Sequence, residues 1–356
     1  MIKSSDNFFT AGKVLEYTQK RTPDFNNLLL VLDRKVPARP TLFEFFMNEN
    51  IYKELTGLDS PPLSEGVVKR ISVLMHAFRN AGYDYITVPA PFLFPIREHP
   101  ADKSFSLNET SMIRDRKSFD EYPWPDIGSV DFSYMSDLEG IILPGMKCIT
   151  YGPCGVLENA TQILGYENMC YLIYDDPKLV SDVFERIGEI LLEYYGNVLD
   201  YNCVGASIVN DDWGYRTQTL LKAEDMRKYV MPWHKKIVER IHKSGKPAIL
   251  HSCGQLDKVY DDIIDDIGFD AKHSYEDAIL PVEEFYERYK SRIAVLGGID
   301  LNFVCTKTPE EVYERSVSMI KTAGVHGGYA HGTGNSVPVY VPHANYYALI
   351  LAALTL

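Results

Sequence analysis

Residues 247–300, PAILHSCGQLDKVYDDIIDDIGFDAKHSYEDAILPVEEFYERYKSRIAVLGGID, decide the fold. Three short apolar runs, Pro247–His251, Asp270–His273 and Ile293–Leu296, alternate with two amphipathic stretches, Gln255–Ile267 and Pro281–Tyr289. A brief apolar run followed by apolar residues at helical spacing reads as a βα unit. Strands joined through helices run parallel. Each run also ends in polar or glycine-rich residues: His251-Ser252-Cys253-Gly254, His273-Ser274-Tyr275-Glu276-Asp277 and Gly297-Gly298-Ile299-Asp300.

The same rhythm extends both ways. Downstream, the helix pattern Pro309–Ala323 precedes a strand at Gly328–His331, and His343–Leu354 closes the chain. Upstream, Pro177–Tyr201 and Ala223–Ser244 read as helices around a strand at Gly205–Val209. Lys147–Tyr151, Tyr85–Val88 and Thr41–Phe46 complete eight strand candidates. Ser64–Ala81 reads as a helix, with Ser64 as N-cap and Gly82 as its stop. Eight βα units predict a single (β/α)8 barrel over residues 1–356. An open doubly wound sheet would favour a glycine-rich dinucleotide loop after the first strand, and none is present. About 1–37 reads as an N-terminal extension. About 89–140, rich in Pro, Phe, Asp and Ser, reads as an insertion after strand 2, either a lid or a decorated surface loop.

In such a barrel the residues just after the strands build the active site. His251 and Cys253, two apart in an extended segment, can point the same way. Imidazole and thiolate together suit zinc, and the alternative is a buried histidine beside an inert cysteine. A third ligand must come from another strand end, with Glu276 and His273 nearest. Asp211 and Asp212 are expected to orient the metal ligands or the substrate, or else to cap a helix. Asp300, after Gly297-Gly298, serves either the site or a cap. Gly298 and the Gly332-Thr333-Gly334-Asn335 loop are expected to let backbone approach a bound cofactor. His331 and Asn335 belong to the polar residues that end or follow the last strand on the same face.

Bulk properties narrow the function class. The net charge is -13 and no basic run exists, which disfavours nucleic acid. No stretch approaches a membrane span, and Met1–Arg21 lacks a signal-peptide core. A cytoplasmic protein is expected, with its six cysteines free, buried or metal-bound. A homodimer is allowed.

Residues 247–300, with Pro309-Glu310-Glu311 and Val341-Pro342-His343-Ala344-Asn345, resemble the uroporphyrinogen decarboxylase superfamily. The likeness runs from about residue 38 to the C-terminus and implies a (β/α)8 barrel. The decarboxylases carry paired arginines near the first strand, where this chain has Thr41-Leu42-Phe43-Glu44-Phe45-Phe46. The cobalamin-dependent methyltransferase branch binds zinc through His-x-Cys, matched by His251 and Cys253, and a glutamate matched by Glu276. Its coenzyme M enzymes add a cysteine near the C-terminus, where this chain has Asn335. His273-Ser274-Tyr275-Glu276-Asp277 and Gly332–Ser336 resemble members that pass methyl groups from small donors, such as methoxylated aromatics, to a corrinoid protein. The resemblance thus implies a zinc-dependent methyltransferase with a cobalamin-carrying partner. A decarboxylase of tetrapyrrole synthesis and a non-catalytic binding barrel are the competing expectations.

Overall fold

The computed structural model describes residues 8–96 and 111–356. Seven strands form one curled parallel sheet in sequence order: β1 (Tyr85–Pro89), β2 (Lys147–Tyr151), β3 (Val204–Asn210), β4 (Ala248–His251), β5 (Ala271–His273), β6 (Ala294–Leu296) and β7 (Tyr329–Ala330). Every one lies on a predicted run. Helices between them bury one face against the sheet. Pro177–Val198 does so with Val180, Val183, Phe184, Ile187 and Leu191. Its start follows from sequence: Pro177 opens the first turn, and the Asp176 carboxylate accepts from Leu179 N–H at 3.0 Å. No helix among the described residues is long and apolar enough to cross a membrane.

The expected first strand is the main departure. Thr41–Phe46 forms no ladder; it touches its neighbours through isolated parallel bridges, Leu42 to His331 and Met47 to Val337. Phe43 N–H donates to the His331 carbonyl at 2.8 Å, and His331 N–H to that of Thr41 at 2.7 Å. On the other side, side chains replace backbone partners. The Tyr85 hydroxyl accepts from Glu44 N–H at 2.6 Å and donates to the Glu44 carbonyl at 2.7 Å. Thr87 Oγ1 donates to the Phe45 carbonyl at 2.7 Å. Phenol and hydroxyl groups of β1 therefore take the hydrogen bonds a strand would have made. The segment occupies the gap between β7 and β1. Its Phe43 and Phe45 rings reach Tyr85, Tyr151, His251 and His273 from different strands, which fills the interior with aromatic surface.

Smaller departures have local causes. Ser64 lies in a 3-10 turn, Leu63–Glu65, and Gly66 (φ +126°) separates it from the helix Val67–Ala81. The helix expected over 223–244 contains a π-turn at Met226–Val230, just before Pro232. A proline lacks an N–H and crowds the carbonyl four residues back, and a wider turn relieves both. Gln255–Ile267 is a 3-10 turn and a π-turn instead of a regular helix. In the expected insertion, residues 97–110 lie outside the described residues. The remainder carries short helices at Arg116–Glu121 and Tyr134–Ile141. The N-terminal stretch forms helices at Ala11–Thr18 and Asn26–Leu32, and Val14, Leu28 and Val31 are fully buried.

One carboxylate fastens the end of β3 to its surroundings. Asp211 is fully buried and accepts four hydrogen bonds: Leu157 N–H (3.0 Å), Glu158 N–H (2.8 Å), Trp213 Nε1–H (3.0 Å) and His234 Nε2–H (2.8 Å). The first two cap the helix Val156–Leu164 from a different strand. Gly155 must be glycine here, because a Cβ would come within 2.1 Å of the Asp211 Cβ. Asp211→Ala leaves these donors buried without a partner and should cost about 3–5 kcal/mol in denaturant unfolding. A loss below about 1 kcal/mol would contradict this frame role.

Candidate metal centre

Pairing register assembles the site. Asn210 of β3 lies abreast of His251 of β4, so two residues later Asp212 comes abreast of Cys253. The Cys253 N–H donates to Asp212 Oδ1 at 2.9 Å. Donor atoms of Asp212, His251 and Cys253 all lie within 4.8 Å of one another. A tetrahedral zinc site with Zn–S of about 2.3 Å and Zn–N or Zn–O of about 2.1 Å spaces its ligands roughly 3.4–3.7 Å apart. Small side-chain rotations would close the set. The donor types fit as well: one thiolate, one imidazole and one carboxylate leave a fourth position open.

The histidine is oriented by a second one. His251 Nδ1 and His273 Nδ1 are 2.7 Å apart, each on a neighbouring strand. Burial pushes His251 down to about 4, and His273 well below the usual histidine range, where the charge of His251 adds to the effect. Both rings are therefore neutral and one proton lies between the two nitrogens. With His251 as donor, its Nε2 lone pair is available to a metal. His273 then carries its one ring N–H proton on Nε2, beside the Thr333 carbonyl, where it makes no well-formed hydrogen bond. Phe45 and Phe43 pack on the two rings at 4.7 and 5.0 Å between centroids.

The sulfur also has neighbours. Ser274 Oγ lies 3.2 Å from Cys253 Sγ, and Asn335 Nδ2 donates to it at 3.3 Å. Asn335 Oδ1 accepts from Ser336 N–H at 2.8 Å, so the NH2 end must face the sulfur. Burial, then the charge of Asp212, pushes the Cys253 thiol up to about 12. A divalent cation reverses that balance by favouring the thiolate. Two of the three described non-glycine residues in the left-handed region, Ser274 (φ +83°) after β5 and Cys154 (φ +64°) after β2, lie at this edge of the sheet; the third is Arg34.

Other expected site residues stand elsewhere. Asp211 belongs to the frame described above. Glu276 is not among the three clustered donors. Register sets Tyr275 abreast of Cys253, Ser274 turns the chain, and Glu276 follows one residue later. His331 faces away from the cluster. Its Nδ1 pairs with the Tyr329 hydroxyl at 3.0 Å, and Tyr329 packs on Tyr286 of the helix Val282–Tyr289. Asp300 is a cap: Oδ1 accepts from Phe303 N–H and Oδ2 from Asp277 N–H, both at 2.9 Å. Gly298 and Gly334 pack closely against the chain itself. A Cβ would come within 2.2 Å of Val282 Cγ2 at the first and of the Tyr275 carbonyl oxygen at the second.

Sequence reasoning missed Lys272, a fully buried cation whose Nζ donates to the Ser252 carbonyl at 3.3 Å and to that of Ser274. Its signal was a lysine in the middle of a three-residue strand, Ala271–His273. Burial lowers it to about 8, and its ammonium lies 4.3 Å from the Tyr275 ring centroid. Glu158 is pushed up to about 8 by burial and by the charges of Asp211 and Asp212.

His273→Ala removes the partner that fixes the His251 tautomer. Zinc affinity should fall about 10–100-fold, measured by competition with a chromophoric chelator. Unchanged affinity would rule out the orienting role.

A family model described as Uroporphyrinogen decarboxylase (URO-D) matches residues 151–355. The chain is similar to a methylated-thiol–coenzyme M methyltransferase of Methanosarcina mazei, 27% identical over 183 residues, covering 49% of this chain and 46% of that protein. It is also similar to uroporphyrinogen decarboxylases of Anaeromyxobacter sp. (22% over 186 residues, 52% of this chain and 51% of the relative) and of Streptomyces avermitilis (26% over 178 residues, 49% and 46%). It spans about half the length of the curated relatives it matches. A solved methyltransferase from Methanosarcina mazei shares the fold, with TM-score 0.67 at 14% identity, over 92% of this chain and 97% of the other.

Proposed function

This chain belongs to the uroporphyrinogen decarboxylase (URO-D) family, and from that premise we propose that it is a zinc-dependent methyltransferase. It moves a methyl group from a small methylated donor, of the aryl methyl ether type, to the corrinoid of a partner protein. The observation that carries the reading is the Asp212–His251–Cys253 cluster at the carboxyl ends of β3 and β4. The similarity to a methylated-thiol–coenzyme M methyltransferase supports it. The reading treats the chain as one barrel domain, with residues 1–37 as an extension and 89–140 as an insertion over the mouth.

His251, Cys253 and Asp212 would hold zinc, which supplies Lewis acidity toward the donor's leaving oxygen. Cys253 contributes the negative charge that Ser274 and Asn335 steady through hydrogen bonds. Asp212, tied through Oδ1 to Cys253 N–H, keeps its second oxygen for the metal. Phe45 packs on His251 and shields it from water. Phe46, Leu93, Val339 and Tyr340 are exposed on segments that follow strand ends, a rim suited to a docked partner protein. The corrinoid carries the nucleophilic chemistry, and this chain supplies position and electrostatics.

Decarboxylation is the second reading, favoured by the several decarboxylases among the relatives. Against it, the Thr41–Met47 segment turns Phe43 and Phe45 toward the interior, where a polycarboxylate would need cations.

Purified protein should hold one equivalent of zinc by elemental analysis, and Cys253→Ala should lose it. Chelation should reduce methyl transfer to cob(I)alamin to background, and zinc should restore it. Undiminished transfer after chelation would sink the metal reading. Conversion of uroporphyrinogen to coproporphyrinogen would establish the decarboxylase instead.

A further inference from the structure

The seam between Thr41–Met47 and the loop after β7 holds a buried acid that the metal chemistry does not use. Glu44 is fully buried. Tyr85 of β1, Tyr83 just before it and Tyr346 of the helix His343–Leu354 are the titratable groups that face it. Burial holds each of these phenols far above neutrality, so none supplies or takes a charge.

Both carboxyl oxygens meet Thr333. The Thr333 hydroxyl lies 2.8 Å from Oε1, and the Thr333 N–H donates to Oε2 at 3.2 Å. The same hydroxyl also contacts the Asn335 carbonyl oxygen. A hydroxyl has one proton to give. An ionised carboxylate and a carbonyl both only accept, so that single proton could serve one of them. Both contacts are satisfied together when the acid donates to Thr333 Oγ1 and Thr333 donates onward to the Asn335 carbonyl.

We propose that Glu44 is a protonated carboxylic acid and a positioning residue: through Thr333 it holds the Thr333-Gly334-Asn335 turn, and so keeps the Asn335 amide on the Cys253 sulfur. The consequence at Cys253 rests on the metal-site reading; the protonation and the turn do not. Burial pushes the Glu44 carboxyl up to about 8, which agrees in direction with the hydrogen-bond count. The linkage sign follows. The folded chain keeps a proton that the unfolded chain releases in the ordinary carboxylate range. This acid's stabilisation is whole below that range and is lost as pH rises toward and through about 8.

Glutamine copies a protonated glutamate in shape and in offering both a donor and an acceptor. Glu44→Gln should therefore behave as wild type at neutral pH and show a shallower decline in melting temperature between pH of about 5 and 8 than wild type, the remainder belonging to other buried acids such as Glu158. The infrared difference spectrum of wild type minus Glu44→Gln at neutral pH should show the carbonyl stretch of one buried protonated carboxyl, distinct from any contribution of Glu158, which both proteins keep. With cobalt(II) as the probe metal, Glu44→Gln should keep the wild-type thiolate-to-metal absorption band. Glu44→Ala and Thr333→Val should shift it to lower energy as Asn335 leaves the sulfur. Absence of that difference band, or a cobalt band displaced as far by glutamine as by alanine, would overturn the proposal. Wild type that binds no cobalt would contradict the metal reading, with the infrared and pH measurements still deciding the state of Glu44.

Discussion

Winding parallel strands in sequence order aligns all their carboxyl ends on one edge of the sheet, and the site depends on that constraint. Residues far apart in the chain meet because each ends a strand or follows one by two positions. Asp212 and Cys253 face each other because β3 and β4 are in register. His251 and His273 meet because β4 and β5 are. Asp211 then locks the end of β3 to the helix Val156–Leu164, so that its neighbour Asp212 keeps a fixed place. The two adjacent carboxylates divide the work. One is buried and saturated by the frame, and the other is half-buried and turned to the cluster.

Electrostatics at the centre favours a bound cation. Without one, burial opposes charge on the sulfur and the imidazoles: the Cys253 thiol is driven up, and both histidines are driven toward neutrality. Neutral imidazole is the form that ligates, so burial prepares the histidine while it penalises the unligated thiolate. One thiolate and one carboxylate would balance a divalent ion, leaving a neutral centre. Hydrogen bonds from Ser274 and Asn335 to the sulfur would further limit its donation to the metal.

Much of the fold was legible because local signals agreed. Seven of the expected strands form, from β-branched or aromatic runs bounded by glycine, proline or polar residues. The eighth was not legible in detail. Its backbone partners are phenol and hydroxyl groups of Tyr85 and Thr87, contacts between segments some forty residues apart that no local pattern announces. At the site, His251 and Cys253 were readable from spacing, and Asn335 from its loop. The residue that clusters with them was not. Sequence order pointed forward to Glu276, which follows β5, whereas pairing register brings Asp212, which follows β3, beside Cys253. Glycines carry a packing role that sequence does not announce. At Gly298 and Gly334 the atoms that lie where a Cβ would be belong to the chain itself.

The most direct measurement is X-ray absorption at the zinc edge of the purified protein, compared with Cys253→Ala and Asp212→Ala. The wild type should show one sulfur at about 2.3 Å and light ligands at about 2.1 Å. Cys253→Ala should lose the sulfur, and Asp212→Ala should keep it with one fewer light protein ligand. Substoichiometric zinc, or a first shell without sulfur, would contradict the metal centre on which the functional reading stands.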